Sequence, residues 1–410
     1  MLLGIGKTVI TPPIGTPLAG FAHRDHGAES VLDDLEVRAF WLQSASDADD
    51  AICLITADLI GFGAKLTAKL RSELKSRYGL PPERLLLAAS HTHSGPQTCE
   101  NMVGVGEMVA EVVAMVQERI LEAVAIAHQY LRPVVVSVGG GRCEGYAINR
   151  RLVRDGVCLF APNPDGVRDD EVTVLVFRDA QDGTILAVLF HFTCHPTVMG
   201  DYRITADYPG AARRVIERAF NGTVAGFLPG CFGDVRPNCT FIGGTKFRQG
   251  QPEDVALFGE ALGNEVVRVA QEAMDPLTPK LDGWALTVEL PLLPLADGSL
   301  PNPPTCPLTI QRLDIAEQVS LIALSGEACC DYGWFIKRLG MERGRMLIPL
   351  GYCNGLVGYL CPARYFPEGG YESATSFRVF GLPSPFAPTI EGVICDGIRQ
   401  LLSLGRGKES

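Results

Sequence analysis

The stretch Leu85–Pro96 reads LLLAASHTHSGP, an unbroken apolar run that stops abruptly at His-Thr-His. Apolar runs of this length, closed by polar turn residues, read as buried strands. In extended backbone, residues i and i+2 point to the same side, so His91 and His93 face one cavity at the strand's end. Only seven histidines occur in 410 residues, and two of them share this spot. The spacing suits two metal ligands, or one ligand with an acid–base neighbour. It also suits a hydrogen-bonded pair with no metal, and by itself leaves all three open.

Working outward, AICLITA (Ala51–Ala57) reads as another strand, helical periodicity runs around Ala64–Tyr78, and Met108–His128 reads as a long helix. Glu171–Thr193 is two apolar runs joined around Asp182-Gly183, a hairpin with both strands mostly buried. Its second strand delivers His191 and His195. His191 lies within the run and reads as a core histidine; His195, at the exit before Pro196, is the better ligand. Asp207 opens a helix with Pro209 in its first turn. TVAGFLPGCFGDVRPN reads as a strand entering a glycine-rich loop at Gly230–Asn238, and Glu253–Met274 as a helix. Strands follow at WALTVELPLL, Leu308–Ile315 and Val319–Leu324. Glu327 stands where a strand gives way to a helix, either as a carboxylate ligand or as a charge favoured by the helix dipole. The alternation predicts an α/β fold, mixed β-sheets flanked by helices. We read residues 1–410 as a single domain, with the proline-rich loop 294–307 as the candidate internal boundary.

Composition narrows the function. A chain 47% hydrophobic and 20% charged can bury a large core. Its net charge of −11 provides no basic surplus to displace counterions from phosphate, which argues against a nucleic acid partner. No run approaches the roughly 18 apolar residues of a spanning helix, so no transmembrane segment is expected. The N-terminus MLLGIGKTVITPP lacks a basic segment followed by an apolar run and cleavage site, and the expected location is cytoplasmic. Thirteen scattered cysteines without a CxxC pair fit reduced thiols. GxSxG and GxGxxG are absent, GIGKT lacks the first glycine of a phosphate loop, and HTHSGP does not continue as HxHxDH. For the ligand set of a barrel amidohydrolase, only His128, His191 and His195 remain downstream.

Eight segments in register resemble the neutral (non-lysosomal) ceramidases: GKTVITPPIGTPLAGF, ASHTHSGP, GYAINR, HFTCHPTVMG, ADYPGAA, GCFGDVRPN, SGE and GLVGYLCPARYFPEGGYESAT. The resemblance spans nearly the whole chain and implies the catalytic domain of a zinc-dependent amidase. It places the zinc ligands on His91, His195, Glu327 and Tyr359, the last by its distance from Tyr371. The family's second histidine falls on His93, its substrate-binding arginine on Arg150, with Arg151 as rival, and its substrate-binding tyrosine on Tyr371. Gly20 matches a backbone position lining the substrate entrance. Against the family's pattern, the sequence is expected to be without the C-terminal immunoglobulin-like domain and a secretion signal, and it reads QTCENMVGVG after HSGP.

These matches imply an amidohydrolase of lipid metabolism that cleaves an N-acyl amide, ceramide-like or smaller, with Zn²⁺ activating water. Arg150 or Tyr371 would hold the oxyanion and His93 would pass the proton to the leaving group. Asp207 and Asp234 are candidates to orient a ligand histidine, against ordinary loop and cap chemistry. A zinc-dependent esterase or lactonase, or a non-catalytic ligand-binding homologue, is the alternative. The expected partner is a small N-acyl molecule, and a homo-oligomer is compatible with the sequence.

Overall fold

Eight strands form the main sheet in the computed structural model, which describes residues 1–241, 246–272, 274–294 and 304–404. Their spatial order is Val224–Pro229, Ile185–Phe192, Glu171–Asp179, Leu131–Arg142, Leu2–Val9, Glu36–Gln43, Ala51–Ala57, Leu85–Ala89. Only the outermost pair at each edge is parallel; every inner pair is antiparallel. The architecture is the expected one, mixed sheets flanked by helices. The Glu171–Asp179 and Ile185–Phe192 strands form the predicted hairpin, with Gly183 at φ 76° in its turn.

Both faces of this sheet are covered, so its strands read as continuous apolar runs. In Ile185–Phe192, Val188, Phe190 and Phe192 pack under the helices Asp207–Ala219 and Pro252–Gln271, while Ala187 and Leu189 pack on a second sheet. Ala51–Ala57 repeats the pattern. Cys53 and Ile55 meet the helices Ala64–Tyr78 and Ala110–Gln129, and Ile52 and Leu54 face the second sheet. That second sheet has the order Pro279–Pro291, Thr305–Ala316, Val319–Leu324, Met346–Leu350. The helices Cys330–Met341 and Ile390–Ser403 cap its outer face. The layers are therefore helices, sheet, sheet, helices. Most of the proline-rich segment 294–307 lies outside the described residues, and Pro291 and Thr305 on its flanks are ladder partners.

The last strands in the order are brought together by one short segment. Gly351 donates to Pro229 O (3.2 Å) at one edge. At the other edge Tyr352 O accepts from Ala89 N (3.2 Å), and Asn354 donates to Leu87 O (2.9 Å) while its side chain accepts from Leu87 N (3.0 Å). Strand twist of roughly 20–25° per step accumulates across eight strands, which permits this approach. It brings the exits of Leu85–Ala89 and Ile185–Phe192, with their histidines, to one corner.

Candidate metal centre

The backbone turns sharply where the first strand ends. His91 has φ 67°, the left-handed region that a non-glycine residue occupies at a cost of order 1–3 kcal/mol, and such residues gather at functional sites. The extended geometry read from the sequence does not hold at this point. His91 and His93 nevertheless meet, their rings 4.8 Å apart and their Nε2 atoms 3.1 Å apart, because the turn rather than strand alternation aims them together. Gly20, at φ 100°, lies against this pair: a Cβ there would stand 2.5 Å from the His93 ring. The structure thus sets Gly20 beside the predicted site.

His195 arrives from the other strand and is fully buried. Its Nδ1 lies 2.6 Å from Phe232 O and 3.0 Å from Val235 O; that of His91 lies 2.6 Å from Ile60 O. Carbonyls only accept, so each Nδ1 carries the hydrogen, and the tautomer this selects has its lone pair on Nε2. Those Nε2 atoms lie 3.5 Å (His91) and 3.2 Å (His195) from Glu327 Oε2. Burial, with Arg150 nearby, lowers the His195 pKa to about 3, so the ring is neutral. A lone pair therefore faces a carboxylate in a dry corner, an arrangement that a cation resolves. The three rings His91, His93 and His195 also bring one nitrogen each within 4.8 Å of one another, a group that could hold a metal.

Glu327 does not begin the helix, whose first residue is Cys330. It belongs to a two-residue strand, Glu327–Ala328, paired in parallel with Tyr359–Leu360, and its register partner is Tyr359. The dipole reading fails for that reason, and two predicted ligands become neighbours across a ladder. Burial, opposed by Arg150 and aided by the Glu327 carboxylate, holds the Tyr359 phenol well above its usual pKa. Burial, then Glu327, raises Tyr371 to about 12; its ring stands 5.4 Å from that of Tyr359.

The two arginines separate cleanly. Arg150 donates from Nη2 to the Tyr359 hydroxyl (2.9 Å) and from Nε to Glu372 Oε1 (2.7 Å), so it borders the site. Arg151 turns away to Glu372 Oε2 (2.7 Å), Glu368 (3.1 Å) and Gly369 O (2.9 Å), and lies over the Tyr365 ring. Glu372, which the sequence reading passed over, joins both; two adjacent buried arginines were the signal that an acid must meet them. Arg24 was also missed. It ties Phe21's loop to the centre through His93 O (2.5 Å), Ala19 O (2.9 Å) and Asp201 O (2.9 Å).

Neither aspartate considered as an orienting group touches a ligand histidine. Asp234 accepts from Cys330 N (2.8 Å), Tyr365 (2.7 Å) and Asn149 (3.0 Å). Asp207 accepts from Met199 N (3.0 Å) and Tyr208 N (2.7 Å). Backbone carbonyls orient the rings instead, and loop chemistry accounts for both acids. His191 is the core histidine expected, its Nε2 2.9 Å from Pro349 O.

Fold and site together define an α/β protein with a buried histidine–carboxylate corner suited to a cation. Residues 1–254 match the family model of the neutral/alkaline non-lysosomal ceramidase N-terminal region, and the chain belongs to that family. It is 27% identical over 282 residues to a neutral ceramidase of Mycobacterium tuberculosis, covering 65% of this chain and 38% of that one. To a neutral ceramidase of Pseudomonas aeruginosa it is 24% identical over 310 residues, 71% and 45% of the two chains. The chain therefore spans less than half the length of these curated relatives. The crystal structure of neutral ceramidase from P. aeruginosa superposes with a TM-score of 0.79 at 20% identity, over 98% of this chain and 73% of that one. A ceramidase complexed with C2 gives 0.78 at 18% identity, over 96% and 73%. Among the described residues no helix is long and apolar enough to cross a membrane.

Proposed function

We propose that the chain is a metal-dependent amide hydrolase whose substrate is an N-acyl compound, ceramide-like or smaller. The observation that carries this reading is the buried convergence of the His91 and His195 Nε2 atoms on Glu327, each ring fixed by a backbone carbonyl on its other nitrogen. Ligand histidines usually carry such a second hydrogen bond. His91, His195 and Glu327, with Tyr359 beside Glu327, would hold the ion. Nitrogen and oxygen donors of this kind suit zinc. When bound, zinc supplies Lewis acidity that polarises a carbonyl and acidifies water.

The remaining groups divide the other work. His93 differs from the two carbonyl-fixed rings, since its Nδ1 is buried without a hydrogen-bond partner. Its Nε2 faces the Nε2 lone pair of His91 (3.1 Å) and so carries the hydrogen, and burial holds its pKa well below the usual value, so it readily gives up a proton it has taken. His93 is therefore assigned to carry the proton to the departing amine. Tyr371, protonated at neutral pH, and Arg150, charged and anchored by Glu372, are the donors for an oxyanion. Family membership and the ceramidases named above support amide chemistry.

Metal content of purified wild type, His91→Ala and His93→Ala, measured by elemental mass analysis alongside turnover of an N-acyl amide, tests the assignment. About one zinc per chain is expected in wild type, lost with activity in His91→Ala. His93→Ala should keep the metal while turnover falls by a factor on the order of 10²–10⁴. Equal metal in wild type and His91→Ala sinks the reading.

A further inference from the structure

Among the described residues near the centre, the Arg236 guanidinium has no carboxylate partner and almost no hydrogen bond. Arg236 follows Val235, whose carbonyl holds the His195 ring. Its only side-chain hydrogen bond among the described residues is a long one from Nη2 to Thr197 O (3.4 Å), and its Nε is buried without a partner. No described carboxylate lies within ion-pair distance of it, in contrast to Arg248 and Arg150, while Arg24 is answered by three carbonyls. Arg248 spends both terminal nitrogens on Asp254 (2.6 and 2.7 Å), and Arg150 is paired with Glu372. Burial and the repulsion of Arg150 lower the Arg236 pKa only to about 10, so it stays charged at neutral pH. The guanidinium is flanked by the rings of Phe247 (4.4 Å) and Phe160 (5.7 Å). A partly buried cation without an anion is costly, and at the edge of a reactive centre that cost points to a ligand.

The space in front of it is a cleft of about 210 Å³, lined by Phe21, His23, Thr197, Arg236, Phe247 and Gln249 among others. Phe21 is shared between this cleft and the centre, its ring 4.9 Å from that of His93. A substrate held at His93 can therefore extend past Phe21 to Arg236. A planar guanidinium matches a two-oxygen anion better than it matches a hydroxyl.

We propose that Arg236 recognises an oxyanion, carboxylate or phosphate, carried by the substrate beyond the scissile amide, so that acidic N-acyl amides are preferred over neutral ones. This rests on the hydrolase reading for its substrate, not for the binding itself. The test is equilibrium binding to chelator-treated full-length protein, with N-dodecanoylglycine, N-dodecanoylphosphoethanolamine and neutral N-dodecanoylethanolamine as probes. Wild type should bind at least one anionic probe roughly tenfold or more tighter than the neutral one, the range a charge-assisted pair supplies; the two anionic arms tell carboxylate from phosphate. Added inorganic phosphate should erode that margin in wild type. Arg236→Gln should abolish it, and Arg236→Lys, which keeps charge without the two-pronged geometry, should retain part. No margin in wild type, a margin that survives Arg236→Gln, or no binding of any probe overturns the proposal. A margin without turnover of any amide by metal-loaded protein upholds the oxyanion site and removes the hydrolase reading; turnover without a margin does the reverse.

Discussion

Two buried polar clusters lie side by side in this molecule and are built on opposite rules. Around Glu372 the charges are paired, although Arg151 Nε is left without a hydrogen bond: Oε1 takes Arg150, Oε2 takes Arg151, and Arg151 has further partners in Glu368 and Gly369. Around Glu327 the groups share one sign of chemistry: a carboxylate oxygen faces two imidazole nitrogens whose hydrogens are committed elsewhere. A matched cluster holds a fold together, whereas an unmatched one at equal burial is kept for something not in the chain. Tyr359 stands on the border, accepting from Arg150 on one side and neighbouring Glu327 on the other.

The contrast breaks most visibly at Glu372. Removing it leaves the buried Arg150 guanidinium without a carboxylate and Arg151 with Glu368 as its remaining one, which costs about 3–5 kcal/mol. Glu372→Ala should therefore lower the denaturant midpoint of metal-free and metal-loaded protein alike. A variant as stable as wild type would show that the arginines do not depend on this acid, and the two clusters would lose their distinction.

A smaller effect separates His191 from its surroundings through pH. Its ring is as buried as that of His195 but lies on the second-sheet side, bonded to Pro349 O with Nδ1 unpartnered. Burial, then the charge of Lys337, lowers its pKa to about 3 from an ordinary value near 6.5. Above pH 6.5 the ring is neutral folded or unfolded. Below it only the unfolded chain takes up the proton, so stability falls as pH drops toward 3. At pH 5 the loss from this one group is about 2 kcal/mol. Stability of metal-free His191→Gln, followed by denaturant melts between pH 7.5 and 5, should decline less than that of wild type by about that amount. Parallel declines would mean that His191 is not the group responsible.

The same contrast explains what could be read from the chain beforehand. Ala51–Ala57 and Ala64–Tyr78 were legible because their patterns are uninterrupted: a strand buried on both faces, then a helix with one apolar stripe. Leu2–Val9 was not, since LLGIGKTV puts two glycines and a lysine into a strand. Gly4 and Gly6 are there because a Cβ at either would strike the carbonyls of Ala127 and Ala123 on the covering helix, a contact no local pattern announces. His195 was legible as a polar residue ending an apolar strand. The pairing of Glu327 with Tyr359, and the bridging segment Gly351–Asn354, depend on contacts between distant parts of the chain. Arg236 lay within a quoted motif, but an arginine shows its lack of a partner only once the fold is known.

The finest test of the contrast is Glu327→Gln, because here the two rules predict opposite signs. In a matched ion pair, loss of the carboxylate charge destabilises the protein. In the corner described here the amide nitrogen of Gln can donate to the His195 lone pair, 3.2 Å from the present Oε2, and removes the clash of acceptors. Metal-free Glu327→Gln should thus be as stable as metal-free wild type or gain up to about 1 kcal/mol, while zinc affinity and turnover both fall. Added zinc should raise the melting temperature of wild type and leave the variant nearly unmoved. A metal-free variant weaker by several kcal/mol would instead identify Glu327 as the partner of a charged imidazole, and the corner would join the matched clusters that merely hold the fold.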